Sequence, residues 1–123
     1  MDVMLFNGSP REDGNTAHLL TRMSNVFSQA NARAEIIQLG GKPVQSCTAC
    51  MECRENKDER CVIENDEVNA YIQKMKNSDA IVIGSPVYFS QMTSETKAFI
   101  DRCGYVIKGN GSFLSRKIGA AVT

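Results

Sequence analysis

The sequence predicts a single α/β domain built around a doubly wound parallel sheet. Short continuous apolar runs alternate with segments whose apolar residues recur at helical spacing, which is typical of βαβ units. Two of the apolar runs end in loops rich in glycine, serine and proline, as buried parallel strands commonly do. The length of 123 residues suits one domain, since single domains commonly run to about 100 to 150 residues.

The first predicted unit is a strand, a loop and a helix. Residues Val3 to Phe6 form a short apolar run that stops at Asn7 and Gly8, which indicates a buried strand entering a loop. Beyond Thr16 the apolar residues recur at helical spacing, so we expect a helix capped by Asn15 or Thr16. The apolar face of this helix comprises Ala17, Leu20, Met23, Phe27 and Ala30.

Two further strands follow, with a helix between them. Ala34 to Leu39 predict the second strand, which Gly40 and Gly41 stop. The continuous run Ala80 to Ile83 is mostly β-branched, so we expect it to be the third and central strand. The intervening helix is marked by Val68, Tyr71, Ile72 and Met75.

The last predicted elements are a helix and a fourth strand. The helix covers Ser94 to Arg102 with Ala98 and Phe99 facing inward, and the strand covers Lys117 to Val122. A flavodoxin-type doubly wound sheet has the strand order 2-1-3-4-5. We therefore expect residues 1–123 to form a flavodoxin-like domain that is truncated after the fourth strand, with its C-terminal part missing.

Charge and hydropathy exclude several classes of partner. Lys plus Arg number 14 and Asp plus Glu number 14, so no net basic field attracts nucleic acid or anionic lipid. No apolar run approaches the ~20 residues of a membrane span, and the N-terminus does not resemble a signal peptide. We expect a cytoplasmic protein whose five cysteines stay reduced and serve metal or redox chemistry.

The loop after the first strand has the composition of a phosphate site. It places glycines, hydroxyls and a guanidinium just before a helix N-terminus, whose free N–H groups attract anions. Ser9 and Thr16 add hydroxyl donors, and Arg11 can close over a phosphate. An ordinary loop that only caps the helix is the alternative. The P-loop and dinucleotide-binding glycine patterns are both absent.

Four cysteines form a compact motif with the spacing C-x2-C-x2-C-x7-C, within residues 47–61. Four thiolates are the ligand set of a [4Fe-4S] cluster. Zinc also accepts four cysteines, although its usual paired C-x2-C hairpins are absent, and metal-free thiols are a third alternative. The mixed charges of residues 54–60 predict a solvated loop. Cys103 lies outside the motif, and we expect a buried or half-buried free thiol there.

Three segments of the chain resemble one group of flavoproteins. Residues 8–16 follow the pattern G-S-P-R-x-x-G-N-T, which resembles the phosphate loop of the NADPH-dependent FMN reductase and iron-sulfur flavoprotein families. Residues 85–90 and the helix after them are similar to the flavin-ring loop of those families. The cysteine motif is similar to that of iron-sulfur flavoproteins and also lies between the second strand and the second helix.

The resemblance implies two cofactors and names their residues. It implies no catalytic side chain, because the cofactors carry the chemistry. The residues implied to bind FMN are Ser9, Arg11, Asn15, Thr16, Pro86, Val87, Tyr88, Phe89 and Ser90. The residues implied to hold a [4Fe-4S] cluster are Cys47, Cys50, Cys53 and Cys61.

The function implied is that of an FMN-dependent electron-transfer oxidoreductase. A ferredoxin-like donor would pass electrons through the cluster to FMN. The protein would form a homo-oligomer, either a dimer or a tetramer, that brings the cluster of one subunit close to the flavin of its neighbour. One alternative is an NAD(P)H-dependent FMN or quinone reductase whose cysteines hold no cluster. Another is a non-catalytic, zinc-stabilised binding module on the same scaffold.

Overall fold

A computed structural model describes all residues, Met1–Thr123, and contains one four-stranded sheet with helices on both faces. The strand order is β2-β1-β3-β4, and every pairing is parallel. This order confirms the predicted flavodoxin-like arrangement of the four strands. The strands are β1 (Asp2–Asn7), β2 (Arg33–Gln38), β3 (Ala80–Gly84) and β4 (Ile118–Val122).

Two of the four helices differ from the sequence-based prediction. A short helix occupies part of the segment that was predicted to be a solvated loop, and the last helix continues seven residues beyond Arg102. The extension forms because Val106, one turn further on, is fully buried in the core. Cys103 therefore lies within the helix rather than at its end, as a buried free thiol. The helices are α1 (Asn15–Gln29), α2 (Glu52–Asn56), α3 (Val68–Asn77) and α4 (Ser94–Gly109).

Separate apolar clusters cover the two faces of the sheet. On one face Phe6 packs against Phe99 and Tyr71, with ring centroids 4.8 and 5.8 Å away, in a core that also includes residues of α3 and α4. On the other face Leu5 packs with Leu20 of α1. Each fully buried side chain of this size contributes about 1.5 to 3 kcal/mol, so both faces hold helices firmly against the sheet.

The parallel register brings two loops to one edge of the sheet. Asn7, the last residue of β1, is paired with Gly84, the last residue of β3. The chain therefore leaves β1 and β3 side by side, at the carboxyl edge where doubly wound sheets bind ligands.

The fourth strand is the most exposed part of the sheet. β4 pairs with β3 along one side only, and its residues are exposed except for the half-exposed Val122. Ile118 keeps 64% of its surface exposed.

No helix of the chain has both the length and the apolar character needed to cross a bilayer.

Candidate functional site

The first candidate site lies between the β1–α1 loop (8–14) and the β3–α4 loop (85–93), which we call the crevice loops. They are bonded to each other: the Gly8 N–H donates to the Gly84 carbonyl at 2.7 Å, and Thr93 Oγ1 donates to the Gly8 carbonyl at 2.7 Å. Thr93 is 2% exposed and also caps α4 by accepting from the Thr96 N–H. Sequence reasoning missed this residue, although a threonine just before a helix is a known capping signal.

Close backbone packing fixes the β1–α1 loop in place. A Cβ on Gly8 would lie 2.0 Å from Thr96 Oγ1, and a Cβ on Gly40 would lie 2.4 Å from the Gly8 carbonyl oxygen. The Gln38 side-chain amide donates to the carbonyls of Ser9 and Gly40, at 2.7 and 2.8 Å. The backbone of the loop is therefore held by contacts within the protein alone.

The N-terminus of α1 has free donors. The N-cap is Gly14 in an extended conformation and no side chain caps the helix, so the prediction that Asn15 or Thr16 is the cap was wrong. Both residues are already helical, and Thr16 is buried, with its methyl beside Gly84. The N–H groups of Asn15, Thr16 and Ala17 have no acceptor within the protein. Such a terminus is a ready anion site.

The remaining phosphate-loop side chains surround this terminus. Ser9 is 3% exposed, and its Oγ accepts from the Arg11 N–H at 3.1 Å, which leaves the hydroxyl proton free to donate. The Arg11 guanidinium is exposed and makes no ion pair or hydrogen bond. The structure thus brings Ser9, Arg11, Asn15 and Thr16 to one loop, with a cationic side chain available for an anion.

The β3–α4 loop carries an exposed, strained hairpin. Tyr88 and Gln91 exchange backbone hydrogen bonds of 2.7 and 3.1 Å, and between them Phe89 and Ser90 adopt left-handed φ angles of 46° and 67°. The Phe89 side chain is fully exposed. Left-handed backbone costs non-glycine residues about 1 to 2 kcal/mol each, and such strain is concentrated at functional sites.

A solvent-open groove of about 330 Å³ adjoins this hairpin. It runs between the start of the β3–α4 loop, α4 and β4, and most of its lining is apolar. Of the predicted flavin-ring residues, Pro86 and Val87 line it, while Tyr88, Phe89 and Ser90 extend beyond it into solvent.

The second candidate site is a small cavity on which the cysteines converge. Cys47, Cys50, Cys53 and Cys61 all line one cavity of about 20 Å³ beside α4, and none forms a disulfide. Cys53 and Cys61 are buried, whereas Cys47 is half-buried and Cys50 is exposed. The motif predicted from spacing is therefore gathered at one place in the fold.

The cysteine cavity is not shaped around a single ion. Its volume holds about one water molecule, and no three His, Cys, Asp or Glu side chains converge closely enough to ligate one metal ion. The surrounding backbone is strained, because four of the chain's eight non-glycine residues with positive φ lie in this segment. These four are Ala49, Met51, Lys57 and Glu59.

The electrostatics of the cavity disfavour bare thiolates. Burial raises the pKa of the Cys53 thiol, and the neighbouring Cys61, Cys50 and Cys47 raise it further. Burial also raises the pKa of Cys103 well above its usual range. A thiolate at Cys53 is therefore favoured by a cationic partner, such as a metal or a basic side chain.

Known proteins resemble this chain along its whole length. Residues 1–123 match the family described as NADPH-dependent FMN reductase. The chain is 35% identical over 122 residues to an iron-sulfur flavoprotein of Methanocaldococcus jannaschii, covering 99% of the chain and 61% of that protein. It is 32% identical over 123 residues to an iron-sulfur flavoprotein of Archaeoglobus fulgidus, covering 100% of the chain and 59% of that protein.

A solved structure shares the fold at low sequence identity. The NAD(P)H:quinone oxidoreductase from Methanothermobacter marburgensis superposes with a TM-score of 0.75 and 17% identity, over 99% of this chain and 62% of that one. The chain spans about three-fifths of the length of the curated relatives described above. On the match over all 123 residues, the chain belongs to the NADPH-dependent FMN reductase family.

Proposed function

We propose that this chain is the FMN-binding part of an electron-transfer oxidoreductase that also holds a [4Fe-4S] cluster. The observation that carries the proposal is the convergence of all four motif cysteines on one cavity, in a domain of the FMN reductase family. Two relatives at 35% and 32% identity are named iron-sulfur flavoproteins, which supports the same assignment.

The residues of the crevice loops fit FMN. The free N–H groups at the start of α1, the Ser9 hydroxyl and the Arg11 guanidinium would bind the phosphate. Residues 86–90 of the β3–α4 loop would lie against the flavin ring, and the exposed aromatic side chains of Tyr88 and Phe89 would shield the ring from water. Bound FMN would supply the electron-transfer chemistry, while the protein orients it.

The cysteine site fits an iron-sulfur cluster better than zinc. A single zinc ion needs its four ligands around one point, an arrangement that the side chains do not adopt. In a four-iron cluster each cysteine binds its own iron atom, so the thiolates stand further apart. The cavity is smaller than such a cluster, so loading requires outward movement of the exposed part of the segment around Cys47 and Cys50.

Two versions of this function differ in their electron donor. With a cluster held by the four motif cysteines, a ferredoxin-like protein would be the electron donor. Assembly into a dimer or tetramer would bring the two cofactors of neighbouring subunits together. Without a cluster, NAD(P)H reduces the flavin directly, as in an FMN or quinone reductase. The family description, NADPH-dependent FMN reductase, favours retaining this second candidate.

The test measures both cofactors in anaerobically purified protein. We expect about four iron and four sulfide per chain, together with FMN that is bleached by dithionite. Flavin without iron would select the NAD(P)H-dependent reductase. Zinc without flavin would contradict the proposed enzyme.

Two variants separate the sites. Replacing Arg11→Ala removes a charge-assisted hydrogen bond worth about 1.5 to 3 kcal/mol, so we expect FMN affinity to fall at least tenfold with iron content unchanged. Replacing the exposed Cys50→Ser should instead remove the iron and leave FMN affinity intact. Loss of both cofactors in either variant, with the fold retained by circular dichroism, would contradict two separate sites.

A further inference from the structure

A buried arginine stands beside the cysteine cavity. Arg102 is the only basic side chain that lines the cavity. Apart from the cysteines and the phenol of Tyr105, the other lining residues carry no ionisable group. Arg102 lies in the middle of α4 and is 1% exposed. Arginine is almost never fully buried without partners, so its position calls for an explanation in terms of what it faces.

The guanidinium is bonded on one side and free on the other. One terminal nitrogen forms an ion pair with the Asp66 carboxylate, and the other donates to the Ile63 carbonyl at 2.8 Å. The remaining nitrogen, Nε, is buried and has no hydrogen-bond partner in the protein. An unpaired buried donor is destabilising. Such a donor, in the wall of a cavity lined by four cysteines, points to an anionic sulfur ligand.

Asp66 is placed to hold the arginine rather than to meet the ligand. Its carboxylate accepts from the Gln45 N–H at 3.0 Å and the Val68 N–H at 3.2 Å, besides pairing with Arg102. Its side chain is 3% exposed and does not line the cysteine cavity. The positive member of the buried pair is therefore nearer to the cavity than the negative member.

We propose that the positive charge of Arg102 raises the reduction potential of a cluster bound by the four cysteines, and that Asp66 moderates this effect. The inference rests on the cluster of the proposed function. Reduction adds one electron, and hence one negative charge, which the guanidinium stabilises more strongly than it stabilises the oxidised form. Net charge and hydrogen bonds to sulfur are established controls of cluster potential.

The experiment compares cluster potentials in charge variants by EPR-monitored titration with dithionite and mediators. Asp66→Asn leaves the arginine charge uncompensated, so its potential should be more positive than that of the wild-type protein. Arg102→Gln combined with Asp66→Asn removes both charges, and its potential should be more negative than wild type. Between these two variants we expect the reduced-to-oxidised ratio of the cluster at a fixed potential to change at least tenfold. For a one-electron couple this corresponds to a difference of about 59 mV in reduction potential.

Two controls distinguish charge from structural damage. Arg102→Lys keeps the charge but loses the planar fork, so its potential should lie between those of the wild type and the double variant. The pair Lys97 and Asp101 lies on the exposed surface of the same helix. Replacing both, Lys97→Gln with Asp101→Asn, should leave the potential unchanged.

The outcomes separate this inference from the proposed function. Iron-loaded variants with the wild-type potential would contradict the role of Arg102 while leaving the cluster intact. An iron-free wild-type protein would contradict the cluster and, with it, this inference. Should the double variant lose its iron, the comparison of Asp66→Asn with wild type decides, because Asn retains an acceptor oxygen for the neighbouring N–H groups.

Discussion

The crevice loops and the cysteine segment (47–61) are built in different ways. The crevice loops are tied to the sheet and to each other by a buried hydrogen bond from Thr93, a half-buried one from Gln38, and glycines that admit no side chain. The cysteine segment is anchored mainly in its second half, where the Asn69 side chain binds both the N–H and the carbonyl of Cys61 at 2.8 Å. Between Cys47 and Met51, the hydrogen bonds are a 3.4 Å contact from the Ala49 N–H to the Cys47 sulfur and a bond of 2.9 Å from the Arg54 N–H to the Met51 carbonyl.

Under the proposed function, the crevice loops are a site that exists before its ligand, whereas the cysteine segment would be completed by its ligand. The crevice loops need no cofactor to hold their donors in place, so flavin binding costs little ordering there. The first half of the cysteine segment has few contacts of its own, which is typical of regions that open locally. Metal binding to such a segment contributes directly to its folding.

The largest expected effect comes from breaking the crevice loops with Gly40→Ala. The new methyl would lie 2.4 Å from backbone atoms of Gly8 and Ser9, and we expect a loss of about 3 kcal/mol in the free energy of unfolding. Urea denaturation measures it. Gly104→Ala is the matched control, because nothing lies within 4 Å of that Cβ, and in a helix it should stabilise by about 0.5 to 1 kcal/mol. Equal stability of the Gly40 variant and the wild type would show that the loop is adaptable.

Removing iron from the anaerobically purified protein tests whether the cysteine segment depends on its ligand while the β1–α1 loop does not. Amide hydrogen exchange in residues 47–53 should become at least tenfold faster, corresponding to about 1.4 kcal/mol, because the proposed cluster would no longer order the half-buried Cys47 and the exposed Cys50. Exchange in residues 8–16 should stay the same. Equal acceleration in both segments would mean that the two sites are not independently built.

The smallest effect is expected at Phe89, one of the two residues of the crevice loops with left-handed backbone. Phe89→Gly removes the cost of left-handed backbone, so the protein should gain between about 0.5 and 1 kcal/mol in stability. Its FMN affinity should fall, because the exposed aromatic ring is lost. Val87→Ala, also exposed but without positive φ, should change stability by less than about 0.5 kcal/mol. Unchanged FMN affinity in the Phe89 variant would remove that residue from the flavin site.

The sequence predicted the features that depend on local pattern. The buried strands β1 and β3 follow from continuous apolar runs, and the convergence of the motif cysteines follows from their spacing. The cap of α1 was misassigned because Asn15 and Thr16 offer the side chains that commonly cap helices, whereas Gly14, which is also a favoured N-cap residue, occupies the position. The end of α4 was placed at Arg102, whereas the helix continues to Gly109 and buries Val106 in the core.

The residues that complete the sites depend on distant contacts and were therefore invisible to pattern reasoning. Gln38 acts on a loop 29 positions away, and Arg102 meets Asp66 from 36 positions away. A signal for Arg102 did exist, since it is a charged residue flanked by apolar ones on the inward face of a helix. The assignments of the FMN and cluster ligands themselves stay predictions.

Helix α4 belongs to both sites, because Thr93 caps its start within the crevice loops while Arg102 reaches the cysteine cavity. The nine-residue step between them spans about 14 Å of helix axis at the standard rise. Substitutions in either loop leave that spacing unchanged, since backbone geometry sets it. One residue inserted into this step would turn Arg102 by about 100° around the axis, away from the cavity. Over evolutionary time this stretch should therefore accept substitutions but not changes of length.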